Sequence, residues 1–587
     1  MGFCFGIFAK EKLDYVLLNS ILNEVTLKGK RKITTYQKDN FLYAHLAKSS
    51  RQKFYNNNNK QWIFFEGEFF GIKAIKRKYD LSSLPNYNNY VEFVWALYKR
   101  YGFEIFRDFD GHFIFTIFDI ENQNLKIIND SLGLHPLYIY KIKDHLIFSS
   151  EYQPILAIPE FKKILDYSSI SEYLTYGIVL DGKTLIKNIK SMKPATIFIY
   201  QPGKEEVKYQ YETWNYETKN WNIDELADKI YFLMQERFLE MLEDRRVASL
   251  PLSGGYDTRF LLGLIPQNMR KEFTWYSNCS PYLDPDQDRD VIIASYITKK
   301  FGLKHNIFKL PQEIIFESPL DIFEVLRPIE EKPHIQGHFS YILRWTEIED
   351  YPPYDKIEEK KEKIIKSIFS KKFINQIKKD NGLSYKQLTS LYHLSRKKFF
   401  FFVHNSLRAF LNTKFPLNAS KWNQPISHFW QPLRTPFLSQ ELIRILLTVP
   451  EEIASEGYLF LYIYDKFNPD LLSIPFVSFP FLKIKDKHIC QKIKVIRSGI
   501  DYQFVRKKVG EKLFKKYLFS KRTWTRGIYN PRFLLLLIIK YLLEYKLGDL
   551  TFVNKLTNHW RYRMLLPERV DHSFVRLEAW LRLYFDS

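Results

Sequence analysis

Short apolar runs rich in aromatic and β-branched residues recur along the first 205 residues, with turns between them. Residues 62–65, 113–118 and 195–200 are examples, and runs of this length and composition are typical of strands. The pattern predicts stacked antiparallel sheets with a few helices. Residues 202–222 begin with Pro-Gly-Lys and continue with polar residues, which indicates a linker.

From residue 223 the pattern changes to long helical segments with occasional buried strands. Between residues 247 and 310 it alternates strand, loop, helix, strand, helix and strand, which is typical of a parallel α/β core. At 587 residues the chain is also too long for a single hydrophobic core. We therefore predict two domains: an α+β domain over residues 1–205, and an α/β domain with a parallel sheet and many helices over residues 223–587.

One segment of the second domain suggests a binding site for phosphate. A strand-like run leads into Ser253-Gly254-Gly255-Tyr256-Asp257-Thr258-Arg259, and an apolar helical run follows. Two glycines allow a sharp turn in which successive N–H groups face one anion, and the next helix adds its positive N-terminal end. Ser-Gly-Gly also occurs in ordinary turns, but the buried strand before it and the helix after it favour a nucleotide site.

The side chains of this segment suit a nucleotide with its metal ion. The hydroxyls of Ser253 and Thr258 can hydrogen-bond phosphate oxygens, and Asp257 can hold Mg²⁺. Arg259 would add a fixed positive charge nearby. The Gly-Lys-Ser/Thr of a Walker loop is absent from the segment. We expect the phosphates to be bound by the following residues: Ser253, Gly254, Gly255, Asp257 and Thr258.

Residues 253–257 resemble the pyrophosphatase loop of the asparagine synthetase family, whose relatives include the β-lactam synthetases and the lasso-peptide cyclases. The resemblance continues at residues 290–305, 433–438 and 577–582, although Ser439 stands where the family has an aspartate. Upstream, residues 101–156 resemble the glutaminase half of these enzymes. The resemblance implies an Ntn-type amidotransferase fold for the first domain and an ATP-pyrophosphatase synthetase fold for the second.

The first domain departs from the family pattern at its expected nucleophile. Class II glutaminases use an N-terminal cysteine whose α-amino group acts as the base for its thiol, whereas Cys4 lies inside this chain. The oxyanion-hole asparagine is replaced by Glu66, and an acid would repel a developing oxyanion. We interpret Cys4, Glu66 and Gly67 as the remnant of a glutaminase site and expect no hydrolysis of glutamine.

The second domain departs from the pattern as well. No glycine occurs between Gly337 and Gly382, where the family has a second, glycine-rich pyrophosphate motif. Residues 354–363 are highly charged and predict a solvated helix, with phosphate contact by its lysines as the alternative. Arg434, in the next matching element, could pair with a substrate carboxylate or tie two helices together, and the sequence favours neither role.

The chain is strongly basic, with 88 lysines and arginines against 66 acidic residues and a net charge of +22. This surplus favours phosphate-rich partners, and residues 506–526 are densely basic with interleaved aromatic residues. An amphipathic helix whose aromatic residues face the core is the favoured interpretation, because lysine-rich surfaces also accompany thermophily. A nucleic-acid partner is therefore an alternative hypothesis that we do not favour.

Other features predict a cytoplasmic protein that does not enter the membrane. The longest apolar run, residues 533–539, ends at Lys540 and is far shorter than a bilayer span. The first residues lack the basic region of a secretory signal. The three cysteines are odd in number and too widely spaced for a metal site, which fits a reducing compartment.

The resemblance implies an enzyme that adenylates a carboxylate with ATP and Mg²⁺, releases pyrophosphate and lets ammonia or an amine attack the acyl-AMP. Asp257 and Arg434 are then the catalytic candidates, and the partners are a small-molecule carboxylate and a nitrogen donor. A non-catalytic ATP-binding regulatory protein of the same fold is the first alternative, which both departures favour. A tRNA-adenylating enzyme is the second, because related loops serve that chemistry. A homodimer is a further hypothesis.

Overall fold

The computed structural model describes most of the first half of the chain and separate parts of the second. Residues 3–309 are described except for 15–17, 20–32, 47–53, 59, 81–89, 152, 159–160, 171–181, 205, 213–216, 244–248 and 280–282. Beyond these it describes 334–335, 368–379, 433–434, 436–454, 457–476, 515–542, 574, 577–578 and 581–582.

Twelve strands precede residue 211 in the described part of the chain: β1 (Phe3–Phe8), β2 (Thr34–Lys38), β3 (Phe41–Leu46), β4 (Tyr55–Asn57), β5 (Gln61–Phe70), β6 (Asp110–Asp119), β7 (Asn124–Asn129), β8 (Tyr138–Ile142), β9 (His145–Ser149), β10 (Ile189–Ser191), β11 (Thr196–Tyr200) and β12 (Val207–Gln210). They form two six-stranded sheets with the orders β10-β8-β9-β1-β3-β2 and β12-β11-β7-β6-β5-β4. All neighbouring strands in both sheets are antiparallel. The prediction of stacked antiparallel sheets is confirmed.

Five further strands are described: β13 (Ser249–Pro251), β14 (Thr274–Cys279), β15 (Lys304–Lys309), β16 (His334–Ile335) and β17 (Leu433–Arg434). The helices are α1 (Ile72–Lys78), α2 (Tyr90–Tyr101), α3 (Gln153–Leu156), α4 (Ile223–Leu242), α5 (Tyr256–Leu264), α6 (Arg289–Phe301), α7 (Lys371–Lys379), α8 (Gln440–Leu446), α9 (Glu451–Ala454), α10 (Tyr458–Phe467), α11 (Pro469–Leu472), α12 (Lys521–Thr525) and α13 (Pro531–Tyr541). Among the described residues, no helix combines the length and apolarity needed to cross a bilayer.

Aromatic side chains fill the space between the two antiparallel sheets. Phe41 of the first sheet stacks on Phe118 of the second, with their ring centroids 4.0 Å apart. Alternation along β1 places Cys4 in this layer and its neighbour Phe5 in the layer on the opposite face. Helices α1 and α2 cover the outer face of the second sheet, while α3, α7 and α13 cover that of the first. The result is four layers: helices, sheet, sheet and helices.

The later part of the chain contains the parallel sheet that the sequence predicts. Strands β13, β14 and β15 are adjacent and parallel, with α5 connecting the first two and α6 the last two. Helices α4, α8, α10 and α11 enclose the same core, in which Trp275 is fully buried. The α/β class is therefore confirmed, while the domain boundaries at residues 205 and 223 stay predictions.

A buried carboxylate joins the antiparallel sheets to the later helices. Asp110, the first residue of β6, accepts hydrogen bonds from Arg237 Nε at 2.9 Å, from Ser439 Oγ at 2.9 Å and from the backbone N–H of Gln440 at 2.6 Å. Because Gln440 is the first residue of α8, Asp110 supplies the acceptor that a capping side chain usually provides at a helix N-terminus. Asp110 therefore fixes how the two parts meet.

Candidate functional site

The Ser-Gly-Gly segment lies at the carboxyl end of β13. The strand ends at Pro251, and α5 begins at Tyr256 with Gly255 as its N-cap residue. β14 runs parallel beside β13, so the loop lies at the edge where the carboxyl ends of the strands meet. In open α/β sheets this edge is the usual place for ligands. The predicted order of strand, loop and helix is present.

Within the loop, polar groups are bonded to one another. Ser253 N donates to Thr258 Oγ1 at 3.0 Å, and the two side-chain oxygens are 3.1 Å apart. Gly255 N donates to Ser253 Oγ at 3.2 Å, and Gly254 N donates to Oδ1 of Asp290, in the first turn of α6, at 2.9 Å. All three amides therefore have acceptors within the chain, and a bound phosphate would have to replace or share these bonds.

The backbone angles of Gly255 do not require glycine, whereas its one close neighbour leaves little room for a side chain. Its φ of −75° and ψ of 171° describe an extended conformation that other residues also adopt. A Cβ atom built on Gly255 would lie only 3.2 Å from Ser253 Oγ. At this position the glycine therefore serves the close approach of the Ser253 hydroxyl, and not the sharp turn that the sequence suggests.

Arg259 does not supply the free charge that the sequence suggests. Its side chain is fully buried, and the guanidinium lies 4.0 Å from the ring centroid of Phe476. It donates at 2.8 to 3.2 Å to four backbone carbonyl oxygens, those of Gly254, Leu471, Ile474 and Pro475. Burial lowers the pKa of Arg259 to about 10, while the guanidinium stays charged at neutral pH. Arg259 therefore anchors the loop to residues 471–475.

Asp290 contacts the loop, and this role was not predicted from the sequence. Burial, and to a lesser extent the charge of Asp288, raise its pKa to about 6, whereas the bond from Gly254 and the charge of Arg259 lower it. An acidic residue in the first turn of the helix after the second parallel strand was a visible signal. Its contact across 36 residues with Gly254 was not, because a single sequence does not show which residues meet.

Cys4 lies within β1 and is fully buried. Its backbone N–H donates to Ser150 Oγ at 3.1 Å. Burial, helped by the nearby Glu66 carboxylate, raises the pKa of the thiol far above its ordinary range. The thiol is therefore protonated at neutral pH, and the adjoining peptide nitrogen is not a base for it. This geometry supports the interpretation of a remnant.

Glu66 and Gly67 follow each other on β5. The Glu66 side chain is fully buried, with Oε1 2.9 Å from Nδ1 of His45, and burial raises its pKa while the hydrogen bond to His45 opposes that shift. Gly67 has a φ of +110°, and an added Cβ would lie 2.0 Å from the carbonyl oxygen of His112. The backbone therefore requires glycine here, whether or not the site hydrolyses glutamine.

Arg434 is buried against the second antiparallel sheet. Its Nε lies 2.9 Å from Oε2 of Glu68 and its Nη2 lies 3.1 Å from Oε1, which is a bidentate ion pair. Nη1 also donates to the carbonyl oxygen of Met241. Of the two roles considered for Arg434, these contacts favour a structural tie, although it joins a strand to the end of α4 and not two helices. Glu68 was not predicted as this partner, although a charged residue within a largely apolar strand was a visible signal.

Comparisons with known proteins agree with this architecture. A family model described as a glutamine amidotransferase domain matches residues 1–212. A putative glutamine-hydrolysing asparagine synthetase 2 of Methanocaldococcus jannaschii is 27% identical over 219 residues, which are 36% of this chain and 40% of that protein. Glutamine-hydrolysing asparagine synthetase 1 of Bacillus subtilis is 24% identical over 283 residues, 47% of this chain and 44% of that protein. Residues 1–212 thus match a glutamine amidotransferase domain, and the chain is similar to glutamine-hydrolysing asparagine synthetases at low identity.

The chain spans less than half the length of these two curated relatives, 40% and 44%. Amidase chry2 of Gibberella zeae is 25% identical over 227 residues, which are 38% of this chain and 33% of that protein. Among solved structures, the glutamine phosphoribosylpyrophosphate amidotransferase of Bacillus subtilis covers 57% of this chain and 74% of its own, with 12% identity and a TM-score of 0.25.

Two of the charged regions noted in the sequence lie wholly or partly outside the described residues. Residues 354–363, which stand in place of the second pyrophosphate motif, lie outside the described residues, as do residues 506–514. In the rest of the basic segment, Tyr517 is buried, whereas Phe519 and Trp524 are 51% and 36% exposed. The aromatic residues described there thus do not all face the core.

Proposed function

We propose that this chain is an ATP-dependent amide-forming ligase that adenylates a carboxylate and releases pyrophosphate. The observation that carries the proposal is the loop after β13, where the hydroxyl oxygens of Ser253 and Thr258 lie 3.1 Å apart. Asp257 stands in the first turn of the helix that follows, at the carboxyl edge of a parallel sheet. Hydroxyls, a carboxylate and a helix N-terminus at this edge suit a triphosphate.

The residues present fit a magnesium nucleotide. Asp257, Ser253 and Thr258 offer only hard oxygen donors, which are the ligands that Mg²⁺ prefers. Asp257 would hold the ion, and the two hydroxyls would contact phosphate oxygens. When bound, Mg²⁺ would lower the charge cost of displacement at the α-phosphorus. The loop's own contribution is to hold the phosphates in a fixed position for attack by the carboxylate.

The nitrogen in this proposal comes from free ammonia or an amine. Support comes from the first domain, where burial raises the pKa of the Cys4 thiol and where Glu66, by the resemblance noted in the sequence, stands in place of the oxyanion-hole asparagine. A buried thiol without a base does not attack the side-chain amide of glutamine. Purified protein that releases glutamate from glutamine, and loses this activity in Cys4→Ala, would overturn this part of the proposal.

The test is pyrophosphate release from ATP and Mg²⁺ in the presence of aspartate and ammonia. We expect release by the wild type and its loss in Asp257→Asn, which removes the carboxylate charge but keeps the side-chain shape. Asp228→Asn is the matched control, because Asp228 lies on α4 and pairs with Lys466 at 2.7 Å. Release that survives Asp257→Asn, or that falls equally in Asp228→Asn, would count against the assigned loop.

A non-catalytic nucleotide-binding protein is the second candidate. The observation that favours it is that the amides of Ser253, Gly254 and Gly255 are all satisfied within the chain. Binding of ATP that depends on Asp257, without pyrophosphate release for a panel of small carboxylates, would support this candidate over the ligase.

A further inference from the structure

The peptide groups of Gly254 are held from two sides by charged side chains, one of them half-buried and the other fully buried. The N–H donates to Oδ1 of Asp290 at 2.9 Å, and the carbonyl oxygen accepts from Nη2 of Arg259 at 3.1 Å. Asp290 belongs to α6, whereas Arg259 belongs to α5. The central residue of the loop is therefore fixed by the two helices that flank β14 in sequence.

Arg259 extends this attachment to a distant part of the chain. Its Nη1 donates to the carbonyl oxygens of Leu471 and Ile474 at 3.2 and 2.8 Å, and its Nη2 donates to that of Pro475 at 2.9 Å. Leu471 lies in the last turn of α11, and Ile474 and Pro475 follow that helix, more than two hundred residues from the loop. One guanidinium thus joins Gly254 to a segment in the core of the α/β part.

Removing the fully buried Arg259 and the half-buried Asp290 from water has a free-energy cost. Transfer of a charged group from water is unfavourable, and the cost is met here by hydrogen bonds to backbone groups. Asp288 and Arg259 are the charged groups that act on Asp290, with opposite effects. An apolar pair would fill this space without that cost, but it would leave both polar groups of the Gly254 peptide units without these partners.

We propose that Asp290 and Arg259 are positioning residues that clamp Gly254, so that the loop keeps one conformation before a magnesium nucleotide binds. The proposal rests on the proposed function, because it assigns the clamp to the loop that would bind the triphosphate. With Gly254 fixed on both sides, the hydroxyls of Ser253 and Thr258 are held in place, and binding does not have to order the loop.

The first experiment measures the affinity of the full chain for ATP and Mg²⁺ in variants of the clamp. Asp290→Ala and Arg259→Met should each weaken binding at least about tenfold, because each removes a hydrogen bond to a charged group. Asp290→Asn keeps an oxygen acceptor for the Gly254 amide and should retain most of the wild-type affinity. Loss of affinity in Asp290→Asn as large as in Asp290→Ala would instead indicate direct binding of the metal ion by the carboxylate, and it would overturn the clamp.

Arg270→Met is the matched control for general loss of stability. Arg270 is also buried and also bonds to backbone carbonyls, with Nε 2.8 Å from the oxygen of Ile265. It lies near the other end of α5, in the turn before β14. We expect its loss to lower the unfolding temperature without weakening nucleotide binding at a temperature where all variants are folded. Equal weakening in Arg270→Met and Arg259→Met would overturn the proposal.

Amide hydrogen exchange of the ligand-free protein gives a readout that does not depend on nucleotide binding. Exchange in residues 252–258 should be at least about tenfold faster in Asp290→Ala and Arg259→Met, and unchanged in Arg270→Met. Unchanged exchange in the two clamp variants would overturn the clamp. If exchange changes as expected while the wild type binds no nucleotide, the clamp stands and the proposed function fails.

Discussion

Breaking the ion pair between Glu68 and Arg434 tests whether Arg434 serves the fold or the substrate. Both residues are only 2% exposed, and two hydrogen bonds of 2.9 and 3.1 Å join their side chains. Glu68→Gln removes the negative charge and leaves a buried guanidinium that has lost its charged partner. Arg434→Met removes the guanidinium, and the double variant Glu68→Leu/Arg434→Met removes both charges from the buried site.

The expected magnitude follows from the burial of the pair. Loss of one partner from a buried ion pair costs about 3 to 5 kcal/mol, because the remaining charge is left in a poorly solvated place. Replacing both partners by apolar residues is often close to neutral, so the double variant should recover most of the loss. The pair of Arg77 and Glu236 joins α1 to α4 at the surface, with side chains 71% and 39% exposed. Arg77→Met should therefore cost less than about 1 kcal/mol.

Urea unfolding followed by circular dichroism measures these differences, and pyrophosphate release measures activity in the same variants. Glu68→Gln and Arg434→Met should lower the unfolding midpoint strongly, and the double variant should regain both midpoint and activity. Arg434→Met that unfolds like the wild type but releases no pyrophosphate would refute the structural role and return Arg434 to the substrate site. A midpoint shift in Glu68→Gln no larger than in Arg77→Met would refute the argument from burial.

Three further outcomes follow from single positions. Gly67→Ala should cost about 3 kcal/mol or more, because its Cβ would lie 2.0 Å from a backbone oxygen. Gly203→Ala, whose Cβ would meet open space, should cost only about 1 to 2 kcal/mol, and equal urea midpoints would contradict this. Cys4 should resist maleimide at pH 8 until the protein unfolds, and fast labelling of the native protein, located by peptide mass spectrometry, would show an accessible thiol. Burial lowers the pKa of His112 to about 4, so protonation of the unfolded chain should remove about 2 kcal/mol of stability between pH 7 and pH 5. Burial also lowers the pKa of His135, to about 3, so both proteins should lose stability from that residue. Urea unfolding at both pH values should therefore show a loss about 2 kcal/mol larger in the wild type than in His112→Phe, and the same pH dependence in both proteins would refute it.

The stacked sheets could be predicted because the apolar composition of each strand indicates whether that strand is buried. Along β1, Cys4 and Phe8 face one layer while Phe5 and Ile7 face the other, and a strand buried on both faces is visible in the sequence as a continuous apolar run. The parallel sheet was equally visible, since apolar strands alternate there with helical segments. The pattern of apolar residues is a local property, so it can be recognised without knowing which distant residues pack against the element.

The partners of the buried charges could not be predicted in the same way. Glu68 meets Arg434 across 366 positions, and Asp110 meets Ser439 across 329. A local pattern shows that a charge stands in an apolar strand and therefore needs a partner, but it does not say which residue supplies one. For the same reason the sequence suggested a role for Arg259 at the phosphates, whereas its guanidinium bonds to backbone carbonyls within the core.

Ser439 stands where the asparagine synthetase pattern has an aspartate, and its contacts explain this difference without a loss of function. The residue precedes α8, and its hydroxyl donates to Oδ2 of Asp110 while the next backbone N–H donates to Oδ1. The N-terminus of α8 is thus capped by a carboxylate from β6, and a hydroxyl donor at position 439 suits that carboxylate better than a second negative charge would. Substitutions at this interface are therefore weak indicators of lost activity, and the decision between ligase and nucleotide-binding protein rests on the loop at residues 253–258.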